Sequence, residues 1–278
     1  MNIQSAGEGP VHVVLAPGGP GLVPEFYREL VDGIDGDATV TTVAFSGTAP
    51  QPAVPFPRTV QAAAAELSEA LERVRDQRPT VLLGHSYGGA VVIELLASQP
   101  ETPVDGAILI SSFPSGRFIA RGIRNRMDAL PSDFHHALSD ADGDPARIAR
   151  LVGEYWFPRH FCRVPWPESF TRGLERVNGE FMNHVLGPSV FEPHGSISHW
   201  DREVDIPGIR SPLLVIGGRY DYFEPEAVRN AFEPRGPMSS RRRFAFSNTA
   251  SHSIWIEDPG TAFSAISGFL REMLLHKT

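Results

Sequence analysis

Short, continuous apolar runs alternate with longer amphipathic stretches over most of the chain. An apolar run bounded by turn residues is typical of a strand buried on both faces, and a 3.6-residue periodicity is typical of a helix packed on a sheet. Their alternation predicts a parallel sheet with helices on both faces, an α/β fold. The predicted strands are residues 11–15, 38–45, 80–83, 107–110, 212–217 and 243–246, and the predicted helices are 24–32, 59–77, 89–97 and 259–275.

The alternation stops between about residues 113 and 212, where charged, aromatic-rich segments broken by prolines follow one another. These segments are predicted to be mostly helical. We therefore expect one core domain, residues 1–113 and 206–278, interrupted by a helical lid, residues 114–205, that covers the mouth of the sheet. Because few residues precede the strand at 11–15, any antiparallel edge strand before it is expected to be short or absent.

One pentapeptide indicates chemistry. Gly84-His85-Ser86-Tyr87-Gly88 lies between a predicted buried strand and a predicted buried helix. In that context it matches the G-x-S-x-G nucleophile elbow, a tight strand-to-helix turn that exposes a serine hydroxyl. A helix that begins here also directs its free N–H groups and its positive dipole end at the reacting centre. A bystander serine in a glycine-rich loop is the alternative, and the flanking strand and helix disfavour it.

An acid and a base follow in the order that such a serine requires. Asp221 comes directly after the predicted strand 212–217, and His252 lies in a polar loop after the strand 243–246. A serine hydroxyl is a weak nucleophile, so an imidazole must take its proton and a carboxylate must orient that imidazole. The order Ser86, Asp221, His252 is the order found in α/β-hydrolases. We therefore predict a Ser-His-Asp catalytic triad.

A glycine-rich turn follows the first predicted strand, as Pro17-Gly18-Gly19-Pro20-Gly21. Small residues there let backbone N–H groups approach a ligand oxygen closely. We expect the N–H of Gly19 to form an oxyanion hole with the N–H of Tyr87, and Gly18 to contact the substrate. A tight turn stiffened by prolines is an equally simple interpretation of the segment, and the two are compatible.

Composition narrows the class of protein. The chain has 278 residues, 41% of them hydrophobic, and a formal net charge of −8, which disfavours nucleic acid or an anionic membrane as a partner. Its one cysteine, Cys162, cannot form an internal disulfide, and no signal peptide or transmembrane run is found, so a cytoplasmic location is expected. We expect a monomer or homodimer that acts on a small molecule without a metal or another cofactor.

Several motifs together resemble the proline iminopeptidase family of α/β-hydrolases. The resemblance runs from about residue 11 to the C-terminus and implies the α/β-hydrolase fold. Its most specific part lies in the predicted lid, where residues 187–191 match the family's Gly-Pro-Ser-Glu-Phe segment. The other matching motifs are Gly-Gly-Pro-Gly at 18–21, Gly-His-Ser-Tyr-Gly-Gly at 84–89, Gly-Arg-Tyr-Asp at 218–221 and the block 252–259.

The chain departs from that family at the positions that bind the substrate's free amine. The resemblance implies a glutamate before Phe191 and a second glutamate after the catalytic aspartate, but here these residues are Val190 and Tyr222. Desolvating an ammonium group without a counter-charge is costly. Val190, Phe191 and Tyr222 are therefore predicted to line an apolar substrate-binding site. The residue before Gly18 is Pro17 where the family usually has histidine.

The preferred hypothesis is a serine hydrolase that cleaves an ester, lactone, thioester or amide of a bulky apolar molecule, as a tailoring enzyme of specialised metabolism would. An aminopeptidase remains an alternative if Glu192, Glu203 or Glu224 replaces the missing anchors, although surface solvation explains those three residues more simply. A cyclase, an acyl transferase or a ligand-binding protein on the same fold is also possible, because water access decides between them and fold does not dictate function.

Overall fold

A computed structural model describes residues 1–48, 55–233 and 241–275. Its centre is a sheet of seven strands, β1 Asn2–Ala6, β2 Val11–Ala16, β3 Ala38–Ala44, β4 Thr80–His85, β5 Gly106–Ile110, β6 Leu213–Gly218 and β7 Arg242–Ser247. The strand order is β1-β3-β2-β4-β5-β6-β7, in which β1 pairs antiparallel with β3 and all other pairs are parallel. The predicted α/β fold is confirmed, and the antiparallel edge strand β1 is short as expected.

The α-helices of the described residues flank the sheet or lie between β5 and β6. They are α1 Arg28–Asp32, α2 Val60–Val74, α3 Tyr87–Ser98, α4 Gly116–Asp128, α5 Ser132–Ala141, α6 Pro145–Leu151, α7 Glu168–Glu175, α8 Gly179–Leu186, α9 Pro225–Phe232, α10 Ile254–Glu257 and α11 Pro259–Leu275. Three 3₁₀ helices, Pro24–Tyr27, Ser196–His199 and Ile206–Gly208, and a π-helix, Val152–Phe161, complete these elements. Helix α9 was not predicted.

The central strands are buried along their whole length because helices cover both faces of the sheet. Every residue of β2, β4, β5 and β6 is buried, which explains their continuous apolar runs. Helix α3 is buried on all sides, whereas α2 buries only one face and is capped by the hydroxyl of Thr59, which accepts from the N–H of Ala62. The carboxyl ends of the parallel strands therefore share one edge of a rigid core.

The segment between β5 and β6 is predominantly helical, as predicted, and it is anchored to the core by a buried ion pair. Glu94 on α3 accepts hydrogen bonds from Arg202 at 2.7 Å and from the indole N–H of Trp200 at 2.7 Å. The side chain of Glu94 is 3% exposed and that of Arg202 is 26% exposed. This contact fixes the end of the inserted segment against the sheet. A lid function for residues 114–205 stays a prediction.

The middle arginine of the run Arg241-Arg242-Arg243 is buried, although a run of charged residues before a strand is typical of a solvated surface. Its guanidinium donates to the carbonyl oxygens of Ser211 and Ile209, at 2.9 and 2.7 Å, and burial lowers its pKa to about 10. The side chain thus satisfies carbonyl groups of the loop that enters β6, which the arginine run alone does not reveal.

Among the described residues, no helix combines the length and the apolar character that crossing a membrane requires.

The buried pair predicts a large effect on stability. Replacing Glu94 with glutamine keeps the shape of the side chain but removes the buried one of the two carboxylates that pair with Arg202, and leaves only the more exposed Asp205 at 3.1 Å. We therefore expect the free energy of unfolding to fall by about 3 kcal/mol in urea titrations. Glu101→Gln is the matched control, because its ion pair with Arg210 is exposed at both ends and should leave the urea midpoint unchanged. Equal midpoints for the two variants would contradict the assigned role of Glu94.

Candidate active site

Ser86 occupies the sharp turn that joins β4 to α3. Its backbone has φ 52° and ψ −118°, a conformation that is strained for a residue with a side chain. The N–H of Ser86 donates to the carbonyl oxygen of Ile110 on β5 at 2.9 Å, and the hydroxyl of Ser112 donates to the carbonyl oxygen of Ser86 at 3.1 Å. Neighbouring strand ends therefore hold the turn that the sequence predicted.

The glycines around Ser86 are required by packing. A Cβ atom on Gly88 would lie 1.9 Å from the carbonyl oxygen of Ala16, and one on Gly84 would lie 2.5 Å from the Cα of Gly89. Neither glycine has a positive φ. The G-x-S-x-G pattern thus reflects the close approach of the elbow to the end of β2 and of α3 to β4, because any side chain at these positions would push the backbones apart.

The structure brings Asp221 and His252 into direct contact. Asp221 follows β6 and His252 follows β7, and Asp221 Oδ1 lies 2.7 Å from His252 Nδ1. Both residues are buried. The same oxygen, Oδ1, also accepts from the N–H of Tyr222 at 2.6 Å. This arrangement fixes the proton on Nδ1 and leaves Nε2 as the basic nitrogen of the imidazole.

Backbone and side-chain hydrogen bonds hold the two loops together. The N–H of Tyr220 donates to the carbonyl oxygen of Ala250 at 3.0 Å, and Arg126 on α4 donates to the carbonyl oxygen of Asp221 at 2.7 Å. Glu257 accepts from the N–H groups of Ser251 and Ser253, on either side of His252. Burial raises the pKa of Glu257. These contacts determine the position of the imidazole before a substrate arrives.

The π-helix contributes a residue that sequence reasoning missed. His160 Nδ1 lies 2.8 Å from the carbonyl oxygen of Tyr220, and the carbonyl oxygen of His160 accepts from the N–H of His252 at 3.3 Å. Burial lowers the pKa of the His160 imidazole, so its neutral form is favoured. His160 therefore contacts both the acid loop and the base loop. Nothing in its local sequence distinguishes it from the other histidines of the inserted segment.

The two N–H groups predicted for the oxyanion hole have no acceptor within the described residues. Gly19, at φ 32°, and Tyr87, the first residue of α3, donate to no protein group in that part of the chain. Gly18 lies beside the nucleophile, since a Cβ atom on it would be 3.0 Å from the Cβ of Ser86. Its N–H donates to the hydroxyl of Tyr27 at 2.5 Å. The geometry thus leaves Gly19 and Tyr87 free to bind a substrate oxygen.

Aromatic rings occupy the predicted substrate-binding region. The ring of Tyr222 stacks on that of His252, with centroids 4.3 Å apart and 15° between the planes, and it packs 5.3 Å from Trp156. Phe191 packs 5.5 Å from the same Trp156, and Val190 is half-buried against the core. Trp156 on the π-helix therefore joins Phe191 to Tyr222, a contact between distant segments that the sequence could not indicate.

The three carboxylates considered as replacement anchors lie on the surface or have cationic partners. Glu192 is exposed. Glu203 pairs with Arg117 at 3.0 Å and accepts from the hydroxyl of Ser115. The side chain of Glu224 is 54% exposed and lies 3.5 Å from Arg126.

Comparisons of the sequence and of the structure with known proteins agree with the α/β fold described above. The sequence profile of the alpha/beta hydrolase family matches residues 13–266. A proline iminopeptidase from Chitinophaga pinensis is 25% identical over 95% of this chain and 90% of its own length. Among solved structures, proline iminopeptidase from Mycobacterium smegmatis superposes with a TM-score of 0.84 at 21% identity, over 99% of this chain and 96% of that one. VinJ superposes with a TM-score of 0.84 at 22% identity, over 98% of this chain and 94% of its own.

The buried imidazole of His85 predicts how stability depends on pH. Burial holds the pKa of His85 well below its ordinary value of 6.5. The unfolded chain takes up this proton near pH 6.5 and the folded protein does not, so the stability is present above that pH and decreases as the pH falls through the window down to the folded pKa. The contribution of one such proton is up to about 1.4 kcal/mol per pH unit.

Urea titrations between about pH 7 and about pH 5.5 measure this slope. His85→Asn is the comparison, because asparagine takes up no proton in this range. We expect the free energy of unfolding of the wild type to fall more steeply with decreasing pH than that of the variant. Parallel slopes would mean that His85 is protonated equally in the folded and unfolded states.

Proposed function

The chain belongs to the alpha/beta hydrolase family, and on that premise we propose that it is a serine hydrolase with Ser86 as its nucleophile, His252 as its base and Asp221 as the group that orients the base. The observation that carries the proposal is the 2.7 Å contact between Asp221 Oδ1 and His252 Nδ1, formed by two loops next to the strained turn at Ser86. A paired imidazole and carboxylate next to a half-buried serine on a strained turn is the arrangement that nucleophilic catalysis requires.

The proposed reaction proceeds through an acyl-enzyme. The hydroxyl of Ser86 attacks the substrate carbonyl while Nε2 of His252 takes its proton, and Asp221 stabilises the imidazolium through Nδ1. The N–H groups of Gly19 and Tyr87 donate to the oxygen that becomes negatively charged. His252 then protonates the leaving group, and water, activated by the same imidazole, hydrolyses the acyl-enzyme. Residues 114–205, as a lid, would limit the entry of water.

The surroundings of His252 support an apolar substrate without a free amine. Both positions at which the resembling family carries an amine-binding glutamate have uncharged side chains, Val190 and Tyr222. Tyr222 is 8% exposed, and its ring packs on Trp156 and His252. An ammonium group placed there would lose its hydration without gaining a counter-charge. The favoured substrates are therefore esters, lactones, thioesters or amides of bulky apolar molecules.

An aminopeptidase is the second candidate, and the relatives favour it. The Chitinophaga pinensis protein, which matches nearly the whole chain, is a proline iminopeptidase. Such an activity here would need a carboxylate close to the reacting carbonyl. The pairing of Glu203 with Arg117 and the exposure of Glu192 and Glu224 weigh against those three residues.

A matched pair of substrates separates the two candidates. We expect an N-acetylated phenylalanine ester to have a kcat/KM at least tenfold higher than the same ester with a free amine, a difference of about 1.4 kcal/mol in transition-state binding. Ser86→Ala is the blank and should abolish turnover of both esters. Tyr222→Glu places a carboxylate where the resembling family has one, and should shift the ratio towards the free amine.

A preference for the ester with the free amine would lead to a second set of variants. If the free amine is preferred, the substitutions Glu192→Gln, Glu203→Gln and Glu224→Gln identify the carboxylate that binds it, and the second candidate replaces the first. Absence of turnover with both esters, together with Ser86-dependent labelling by a fluorophosphonate probe, would instead favour cyclisation or acyl transfer. Absence of labelling as well would favour a ligand-binding protein.

A further inference from the structure

A buried phenol links the loop after β2 to the nucleophile elbow. Tyr27 is the last residue of the 3₁₀ helix Pro24–Tyr27 and is completely buried. Its hydroxyl oxygen accepts from the N–H of Gly18 at 2.5 Å and lies 3.0 Å from Nδ1 of His85. A backbone N–H can only donate, so the hydroxyl proton is left for Nδ1. One hydroxyl group thus joins the residue before Gly19 to the residue before Ser86.

Burial favours the uncharged forms of the Tyr27 phenol and the His85 imidazole. It raises the pKa of Tyr27 and lowers the pKa of His85 well below its ordinary value. The phenol therefore keeps its proton, and the neutral imidazole offers one nitrogen as an acceptor. The ring of His85 lies 4.9 Å from that of His252. A charged His85 would oppose formation of the imidazolium on His252, so its neutrality also suits the base.

Pro17 and Pro20 stiffen the ends of the loop that Tyr27 contacts, but the two glycines between them have no side chains to restrain their backbone. Gly18 and Gly19 lack side chains, and Gly19 adopts a positive φ. A Cβ atom on Gly18 would come within 2.7 Å of both Nδ1 and the carbonyl oxygen of His85. The loop therefore lies directly on the elbow, and a hydrogen bond to Gly18 N–H fixes the peptide that precedes the donor of Gly19. Preorganised donors stabilise an oxyanion better than mobile ones.

We infer that Tyr27 is a positioning residue of the oxyanion hole: its hydroxyl holds the Gly18-Gly19 loop at the distance from Ser86 that stabilises the tetrahedral intermediate. The inference rests on the proposed serine hydrolase function. Tyr27 acts through Gly18 and His85.

The surroundings of Tyr27 make it possible to remove the hydroxyl alone. The ring packs against Phe26 at 5.0 Å and against Trp255 at 5.9 Å, and Trp255 in turn contacts His85 at 4.7 Å. Tyr27→Phe preserves these ring contacts and deletes only the group that bonds Gly18 and His85. The matched control is Tyr155→Phe in the π-helix, where a half-buried tyrosine packs on Phe134.

The experiment measures kcat, KM and the inhibition constant of a trifluoromethyl ketone that shares the acyl group of the N-acetylated ester. We expect Tyr27→Phe to lower kcat roughly tenfold to a hundredfold with KM within about twofold of the wild type. Because the ketone forms a tetrahedral oxyanion with serine, its affinity should weaken in parallel with kcat/KM. Tyr155→Phe should leave all three quantities unchanged.

A second pair of variants tests the hydrogen bond between Tyr27 and His85 by changing His85. His85→Leu keeps Tyr27 but removes its acceptor, so the fall in kcat should be similar. His85→Asn offers an amide oxygen near the position of Nδ1 and should recover part of the rate. If Tyr27→Phe fails to fold, this pair supplies the test.

The inference is overturned if kcat and ketone affinity stay within about twofold in Tyr27→Phe while Ser86→Ala is inactive. It is also overturned if only the melting temperature changes, because that is the result of a purely structural role. Turnover that persists in Ser86→Ala would instead refute the proposed function. Turnover in Ser86→Ala therefore distinguishes failure of the proposed function from failure of the inference about Tyr27.

Discussion

The close approach of the nucleophile elbow to the end of β2 is the constraint on which the rest of the site depends. At Gly88 the elbow touches the carbonyl oxygen of Ala16, and at Gly18 the following loop touches His85 and Ser86, with no space for a Cβ atom at either position. This contact compensates for the strained backbone of Ser86, because a turn of that kind persists only where its surroundings over-determine it. It also brings the loop of Gly18 and Gly19 against the elbow that carries Ser86 and Tyr87.

Asp221 and His252 lie at the same edge of the sheet as Ser86, but contacts other than those of the elbow hold them in place. Asp221 and His252 lie on loops after β6 and β7, and their backbones are tied to each other, to Arg126 and to the π-helix through His160. Three of these contacts come from the inserted segment between β5 and β6. A change in the position of that segment would therefore alter the geometry of the imidazole and, under the proposed lid function, the access to Ser86.

Aromatic packing replaces charge in the region where the resembling family binds an amine. Trp156, Phe191 and Tyr222 bring together the π-helix, the segment after α8 and the acid loop, and Tyr222 covers one ring surface of His252. Such a region gains affinity by removing apolar substrate surface from water, and it penalises an uncompensated ammonium group. These surroundings are the reason for proposing a hydrolase whose selectivity differs from that of the resembling family.

The sequence by itself determined the fold class, nearly all of the core strands, and the residue types that can carry the chemistry, because hydrophobic period and motif order are local properties of the chain. It did not single out Tyr27 or His160, nor the contacts of Trp156 with Phe191 and Tyr222, nor the burial of Arg242, since Tyr27, His160, Trp156 and Arg242 lie outside the motifs. Only the tertiary structure shows those contacts. A hydrogen bond between Tyr27 and His85, or a ring contact between Trp156 and Tyr222, depends on the distance between segments that are remote in sequence. That distance is set only once the sheet and the inserted helices have packed together.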